Sequence, residues 1–226
     1  MIQHQSIKHK AAAAVSAAAF LAVTAMMAPH PAQAGDEERR EEAKVRRGLE
    51  IAPVPLKLEG KNVNLVGLGS YIVNAQSSCN DCHSAGPQTQ FLPGGNPYFE
   101  QQPTKENPAT YLGGGRNFGP LLPNTPNIVS RNLTPDGRGR TLGGDSFDKF
   151  LQSIRTGTDP DHVHPSCTVT STTPCLPPPF NGELLQIMPW PVLRHMTEHD
   201  LRAIYEYLGA VPCVEGGPGE EAGRCR

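Results

Sequence analysis

Residues 79–83 have the sequence Cys-Asn-Asp-Cys-His. The spacing C-x-x-C-H is typical of sites at which haem is attached covalently. Two thiols three positions apart on one helical turn can each form a thioether with one haem vinyl group, and the histidine that follows can bind the iron. The motif therefore predicts one haem c, held by Cys79 and Cys82, with His83 as an axial iron ligand.

Two other uses of this cysteine pair are disfavoured by the sequence around it. A thioredoxin-like dithiol would lie in an alternation of strands and helices, and no such pattern surrounds residues 79–83. A zinc site would need a second pair of ligands at short spacing, which the sequence does not supply. The haem interpretation is therefore favoured over both alternatives.

The second axial ligand is predicted to be Met188. Between residue 35 and the last residue the sequence contains only two methionines, Met188 and Met196. Met188 lies in an apolar segment made rigid by two prolines, and Pro189 disfavours a helical conformation for it. Met196 has a structural explanation instead. Thr197 is predicted to be a helix N-cap, and Met196, directly before it, would pack against Leu201 in a hydrophobic staple.

Four histidines are alternatives to Met188. His195 and His199 flank the start of the last predicted helix, and His162 and His164 lie in a Pro-rich loop. Any of them would give a haem with two histidine ligands. His162 and His164 are also a candidate surface metal site, although a single histidine is more often solvated or hydrogen-bonded.

The first 34 residues predict export. Lys8 and Lys10 precede an uncharged, Ala-rich run, and Ala32-Gln33-Ala34 is a cleavage pattern. We expect a signal peptide over 1–34, with an uncleaved membrane anchor as the alternative. No other stretch is long and apolar enough to cross a bilayer, so the mature protein is expected to be periplasmic, without a membrane span.

The charge balance excludes a basic nucleic-acid-binding protein. The 226 residues include 20 Lys and Arg against 22 Asp and Glu, a formal net charge of −2. Gly and Pro number 23 each, which predicts one loop-rich domain with few, short regular elements.

The other four cysteines are predicted to form disulfides, because cysteines of exported proteins usually pair. They are Cys167, Cys175, Cys213 and Cys225. Three connectivities are available to four cysteines. Short-loop closure favours 167–175 with 213–225, but a link from the first loop to Cys213 is equally compatible with the sequence, so the pairing stays open.

Apolar residues at helical spacing predict three main helices, over 64–75, 145–156 and 197–208. Asp145 and Thr197 are the expected caps of the second and third. Residues 36–47 are a mixed charge run that suits either a solvated helix or a mobile tail. Residues 111–112 and 126–129 are candidates for a short β-pair.

With these features, the chain resembles the class I cytochrome c family over residues 64–212. The matching features, in order, are Cys79, Cys82, His83, Met188 and the 197–208 helix. The resemblance implies an all-α, cytochrome c-like fold with three main helices around one haem. It also implies that the first and last helices cross, with Gly67 or Gly69 near Tyr205 or Tyr207.

A second set of residues narrows the resemblance. Residues 132–136 (Asn-Leu-Thr-Pro-Asp), with Phe147 and residues 155–157 (Arg-Thr-Gly), look like the cytochrome subunits of periplasmic dehydrogenases. The resulting division of the chain is a signal peptide over 1–34, a charged segment over 35–63, a cytochrome c domain over 64–212 and a tail over 213–226.

The function expected from these features is electron transfer by a carrier that is not an enzyme. One electron would pass between redox protein partners, a dehydrogenase and an oxidase or reductase, through a His/Met-ligated haem. Arg116, Arg131, Arg138 and Trp190 are candidate partners of the haem propionates. The alternatives are an electron-transfer subunit docked to a dehydrogenase, and a peroxidase or gas-binding protein with an open distal site.

Overall fold

The computed structural model describes residues 31–159, 164–216 and 223–226. The helices of these residues are α1 (Pro31–Ile51), α2 (Val63–Tyr71), α3 (Cys79–Cys82), α4 (Pro87–Gln90), α5 (Phe147–Thr156), α6 (Trp190–Leu193) and α7 (Glu198–Leu208). A π-helical segment, Ile72–Gln76, continues α2, and a 3-10 segment, Thr141–Gly144, precedes α5. Strands β1 (Asn117–Pro120) and β2 (Asn127–Val129) form an antiparallel pair.

The expected all-α, cytochrome c-like fold with three main helices is wrong. The described part of the chain is mixed, with seven helices and a two-stranded antiparallel sheet. The longest helix is α1, which packs along α2 and which the three-helix expectation omitted. Its Val45 is buried while the charged residues before it are exposed, so the 36–47 run is a helix.

The predicted β-pair also has the wrong partner. Strand β2 pairs with β1, with Asn117 opposite Val129, and not with residues 111–112. Leu112 has a φ of +56°, a left-handed conformation that a strand cannot contain. Tyr111 and Leu112 are instead fully buried in the core.

Two glycines let α2 pack closely against helices on both sides. A Cβ on Gly69 would lie 1.9 Å from the carbonyl oxygen of Ala203 and 2.7 Å from Cβ of Tyr207, so only glycine fits against α7. A Cβ on Gly48 of α1 would lie 1.9 Å from the Gly67 carbonyl oxygen. The predicted contact between Gly69 and Tyr207 is confirmed. Gly67 lies against α1 instead, where a Cβ would be 2.7 Å from the Val45 carbonyl oxygen.

The helix caps are local and follow from side-chain chemistry. The Oγ of Ser146 accepts from the Lys149 N–H at 3.3 Å, so Ser146 and not Asp145 caps α5. Thr197 caps α7 as predicted, accepting from the Asp200 N–H at 3.1 Å. Gly157, with a φ of +75°, ends α5 and begins the long loop that leads to α6.

The structure settles the disulfide pairing. Cys167 is bonded to Cys175 and Cys213 to Cys225, and these two bonds within the described ranges indicate an oxidising compartment. No helix in the part of the chain that the structure describes has the length and apolar character to cross a membrane. The segment 1–30 and His162 lie outside the described residues, and the domain boundaries remain predictions.

Candidate functional site

One cavity of about 930 Å³ brings the predicted haem residues together. Cys79, Cys82, His83 and Met188 all line it, although Met188 is more than 100 residues from the motif. Apolar side chains from α5, α7 and the loops complete much of its wall, among them Leu133, Ile154, Leu201, Ile204 and Leu208. The fold therefore brings the two predicted axial ligands into the lining of one cavity.

The two motif cysteines lie on the single helical turn α3. Ser78, with a φ of +46°, redirects the chain into this turn, and the His83 N–H bonds back to the Cys79 carbonyl oxygen at 2.9 Å. Neither thiol forms a disulfide, and Cys82 is exposed while Cys79 is partly buried. Burial, followed by the neighbouring Cys82, raises the pKa of Cys79 to about 12.

The ring of His83 is oriented by a backbone carbonyl. Its Nδ1–H donates to the carbonyl oxygen of Arg131 at 2.8 Å. Burial lowers the pKa of His83, which favours the neutral ring. The Gly114 N–H also donates to the His83 carbonyl oxygen at 2.9 Å. A neutral ring that donates through Nδ1 leaves the lone pair of Nε2 available to a metal.

Behind the motif, Asn80 and Glu106 tie α3 to the following loop. The Leu112 N–H donates to Asn80 Oδ1 at 2.8 Å, and Asn80 Nδ2 donates to Glu106 Oε2 at 2.7 Å. Burial raises the pKa of Glu106 to about 7. Glu106 was not among the predicted site residues, because nothing in the surrounding sequence distinguishes it from a surface carboxylate.

The Met188 loop is held by Trp190 and Gly157. Trp190 Nε1 donates to the Leu185 carbonyl oxygen at 3.1 Å, and the Leu185 N–H donates to the Gly157 carbonyl oxygen at 2.7 Å. A Cβ on Gly157 would lie 2.2 Å from the Trp190 ring, so the ring covers this glycine. Trp190 is absent from the cavity lining, and its contacts indicate that it supports the Met188 loop.

Two of the alternative ligands also reach the cavity. Met196 and His164 line it together with Met188. His195 and His199 are exposed and are not part of the lining. Met188, the predicted ligand, therefore shares the cavity with Met196 and His164, and a mutational test must separate the three.

Charged side chains of both signs line the cavity. Five are arginines, Arg131, Arg138, Arg140, Arg224 and Arg226, and four are carboxylates, Asp136, Asp145, Asp159 and Glu183. Arg116 does not line it. Arg131 and Arg138 were among the predicted haem contacts, and Arg140, Arg224 and Arg226 were not. Arg131 is paired with Asp159 at 3.0 Å, and Arg140 with Asp136 at 2.6 Å.

A buried tyrosine pair lies behind the cavity. The hydroxyl oxygens of Tyr111 and Tyr207 are 2.8 Å apart, and Tyr111 donates to Asn74 Oδ1 at 2.5 Å. Burial raises the pKa values of both tyrosines, so they stay protonated. The pair joins the π-helical segment before the motif to α7.

Within residues 31–159, 164–216 and 223–226, no group of three or more His, Cys, Asp or Glu side chains is placed to hold a metal ion. No family model, no curated protein and no solved structure matches the chain.

Proposed function

We propose that this chain is a periplasmic c-type haem protein that carries single electrons between redox protein partners. The observation that carries the proposal is the convergence of Cys79, Cys82, His83 and Met188 on one cavity. A thiol pair, an imidazole and a thioether at one space are the groups that covalent attachment and His/Met ligation require.

The residues around the cavity fit a haem group. Its volume of about 930 Å³ lies in the range of about 300–1,000 Å³ of pockets that hold small molecules and cofactors. Its apolar wall suits the porphyrin, and the arginines suit the two propionates. When bound, the haem supplies a one-electron couple at its iron, and His/Met ligation favours the reduced form.

The protein's own groups have distinct parts in this scheme. Cys79 and Cys82 would hold the group by thioethers, and His83, whose Nδ1–H donates to the Arg131 carbonyl oxygen, would bind the iron through Nε2. Met188, in the loop that Trp190 and Gly157 support, would supply the second ligand. Leu201, Ile204 and their apolar neighbours would pack against the porphyrin.

Location and partners form part of the same proposal. The disulfides indicate an oxidising compartment, and the sequence of residues 1–34 supports export to the periplasm. Electron exchange requires a brief encounter with each partner, for which a small interface is sufficient.

Visible spectra of the haem-loaded protein and its Met188→Ala variant test the ligand assignment. We expect a thioether–iron charge-transfer band and no carbon monoxide binding in the wild type, and the loss of both properties in Met188→Ala. Met196→Ala and His164→Ala are matched controls from the same cavity, and both should keep the band. Loss of the band in Met196→Ala alone, or a wild type that binds carbon monoxide readily, would refute the assignment.

A further inference from the structure

The C-terminal residues fold back onto the segment that orients His83. Cys225 is bonded to Cys213, which closes a loop of 12 residues in sequence separation. Gly223, Arg224 and Arg226, next to this bond, line the cavity. The end of the chain is therefore fixed against the cavity by a covalent link.

Arg224 contacts the backbone of residues 132–134. Its Nη2 donates to the carbonyl oxygens of Asn132 at 3.2 Å and Thr134 at 2.6 Å. Its own carbonyl oxygen accepts from the Gly137 N–H at 2.8 Å. A Cβ on Gly137 would lie 2.6 Å from the Cys225 carbonyl carbon, so the two backbones are in direct contact.

The other end of the disulfide loop holds the same segment. Asn132 Nδ2 donates to the Val214 carbonyl oxygen at 2.8 Å, and the Val214 N–H donates to Thr134 Oγ1 at 3.1 Å. Asn132 and Thr134 are both buried. Residues 132–137 are thus held from both ends of one cross-linked loop.

The held segment begins directly after Arg131, whose carbonyl oxygen accepts from His83 Nδ1 at 2.8 Å. On its opposite side, the Leu133 N–H donates to the Leu112 carbonyl oxygen at 2.8 Å. A Cβ on Gly114 would lie 2.4 Å from the Arg131 carbonyl carbon. The carbonyl that orients His83 therefore lies between the 112–114 backbone and the cross-linked loop.

We propose that the residues on either side of the Cys213–Cys225 bond, 213–216 and 223–226, form a clasp on residues 131–137, with Arg224 as a positioning residue for His83. One nitrogen of the planar guanidinium donates to two carbonyl groups at once, and a lysine ammonium on a flexible stem is not held in this geometry. A group that fixes the hydrogen bond of a metal-ligating histidine also tunes the metal. The effect of Arg224 on the iron rests on the proposed function, whereas the contacts of the clasp do not.

The test compares full-length protein carrying Arg224→Gln, Arg224→Lys or the double change Cys213→Ser with Cys225→Ser. The matched control is Cys167→Ser with Cys175→Ser, which removes the other disulfide. Amide hydrogen exchange of residues 131–137 and the midpoint potential of the haem are measured. We expect exchange to become about tenfold faster or more in all three clasp variants, and the potential to rise because the bond to His83 weakens.

The control should leave both quantities unchanged. Unchanged exchange over residues 131–137 in Arg224→Gln and in the clasp double variant would overturn the proposal. Faster exchange with an unchanged potential would overturn the role of Arg224 in positioning His83. Should the double variant fail to fold, Arg224→Lys, which keeps the disulfide, decides the matter. A protein without attached haem would refute the proposed function, while exchange would still decide on the clasp.

Discussion

Arg131 and Asp159 form an ion pair across the cavity wall, with Nη1 of the arginine 3.0 Å from Oδ1 of the aspartate. Asp159 is almost completely buried, and its N–H donates to the Glu183 carbonyl oxygen at 3.3 Å. The Arg131 carbonyl oxygen accepts from His83. The pair thus joins the segment behind His83 to the loop that leads to Met188.

We predict that Asp159→Asn destabilises the protein by about 1–3 kcal/mol. Neutralising Asp159 removes an ionic partner of a partly buried arginine, and the loss is moderated because the arginine is partly exposed. Denaturant unfolding with intact disulfides measures the change. Glu50→Gln removes the exposed pair of Glu50 with Arg47 and should cost less than about 0.5 kcal/mol. Equal costs for the two variants would contradict a structural role of the buried pair.

Gly69→Ala should separate α2 from α7. The new Cβ would lie 1.9 Å from the Ala203 carbonyl oxygen, so the helices must shift. We expect a loss of about 2–4 kcal/mol, at or above the usual cost of overpacking. Gly94, with a φ of +70° and open space around it, is the control. Gly94→Ala should cost only the strain of a positive φ, about 1 kcal/mol, and a reversed order would refute the close helix contact.

The raised pKa of Glu106 predicts a pH-dependent stability. Its pKa is raised from 4.5 to about 7, so the folded state binds a proton more tightly than the unfolded state. The stability from this group is therefore complete below about pH 4.5 and is lost as the pH rises through about 7. Between pH 5 and 8 the wild type should lose about 1 kcal/mol more than Glu106→Gln, allowing for partial exposure. Parallel pH profiles of the two proteins would contradict this assignment.

Loss of the Tyr207 hydroxyl should disturb the buried tyrosine pair. Tyr207→Phe removes a hydrogen-bond partner from Tyr111 and from Asn74, whose amide lies 3.1 Å from the Tyr207 hydroxyl. A buried group without its partner costs about 1–3 kcal/mol, measurable by thermal or denaturant unfolding. Tyr98, which is 82% exposed, provides the control. Tyr98→Phe should be neutral, and a neutral Tyr207→Phe would show that the pair is not a stabilising contact.

The local features of the fold were the predictable ones. The periodic apolar residues placed α5 and α7 correctly, and Thr197 was identified as the cap of α7 because a cap depends on neighbours in sequence. The all-α expectation failed because pairing of β1 with β2 depends on the turn between them, and neither strand has a strong period-two pattern. The prediction of a strand at residues 111–112 was wrong because Leu112 has a left-handed backbone, which the strand propensity of leucine does not indicate.

In the candidate site, too, local features were predictable and contacts between distant residues were not. The motif at residues 79–83 could be read directly, whereas the roles of Arg224 and Asp159 depend on contacts between distant parts of the chain. Met196 was assigned to the staple of α7, yet its side chain also lines the cavity, because a residue before a helix can face two neighbours. The ring of Trp190 covers Gly157, and the expected contact of Trp190 with the haem stays a prediction.

The central claim is that Cys79 and Cys82 carry one covalent haem. Intact mass spectrometry of the denatured mature protein, produced with a covalent haem-attachment system and followed by peptide mapping of residues 79–83, tests it most directly. The account predicts the mass of the chain plus one haem, with the haem on both cysteines, and no such addition in Cys79→Ser with Cys82→Ser. A wild-type mass without haem, with Cys79 and Cys82 as free thiols or as a disulfide, would contradict it.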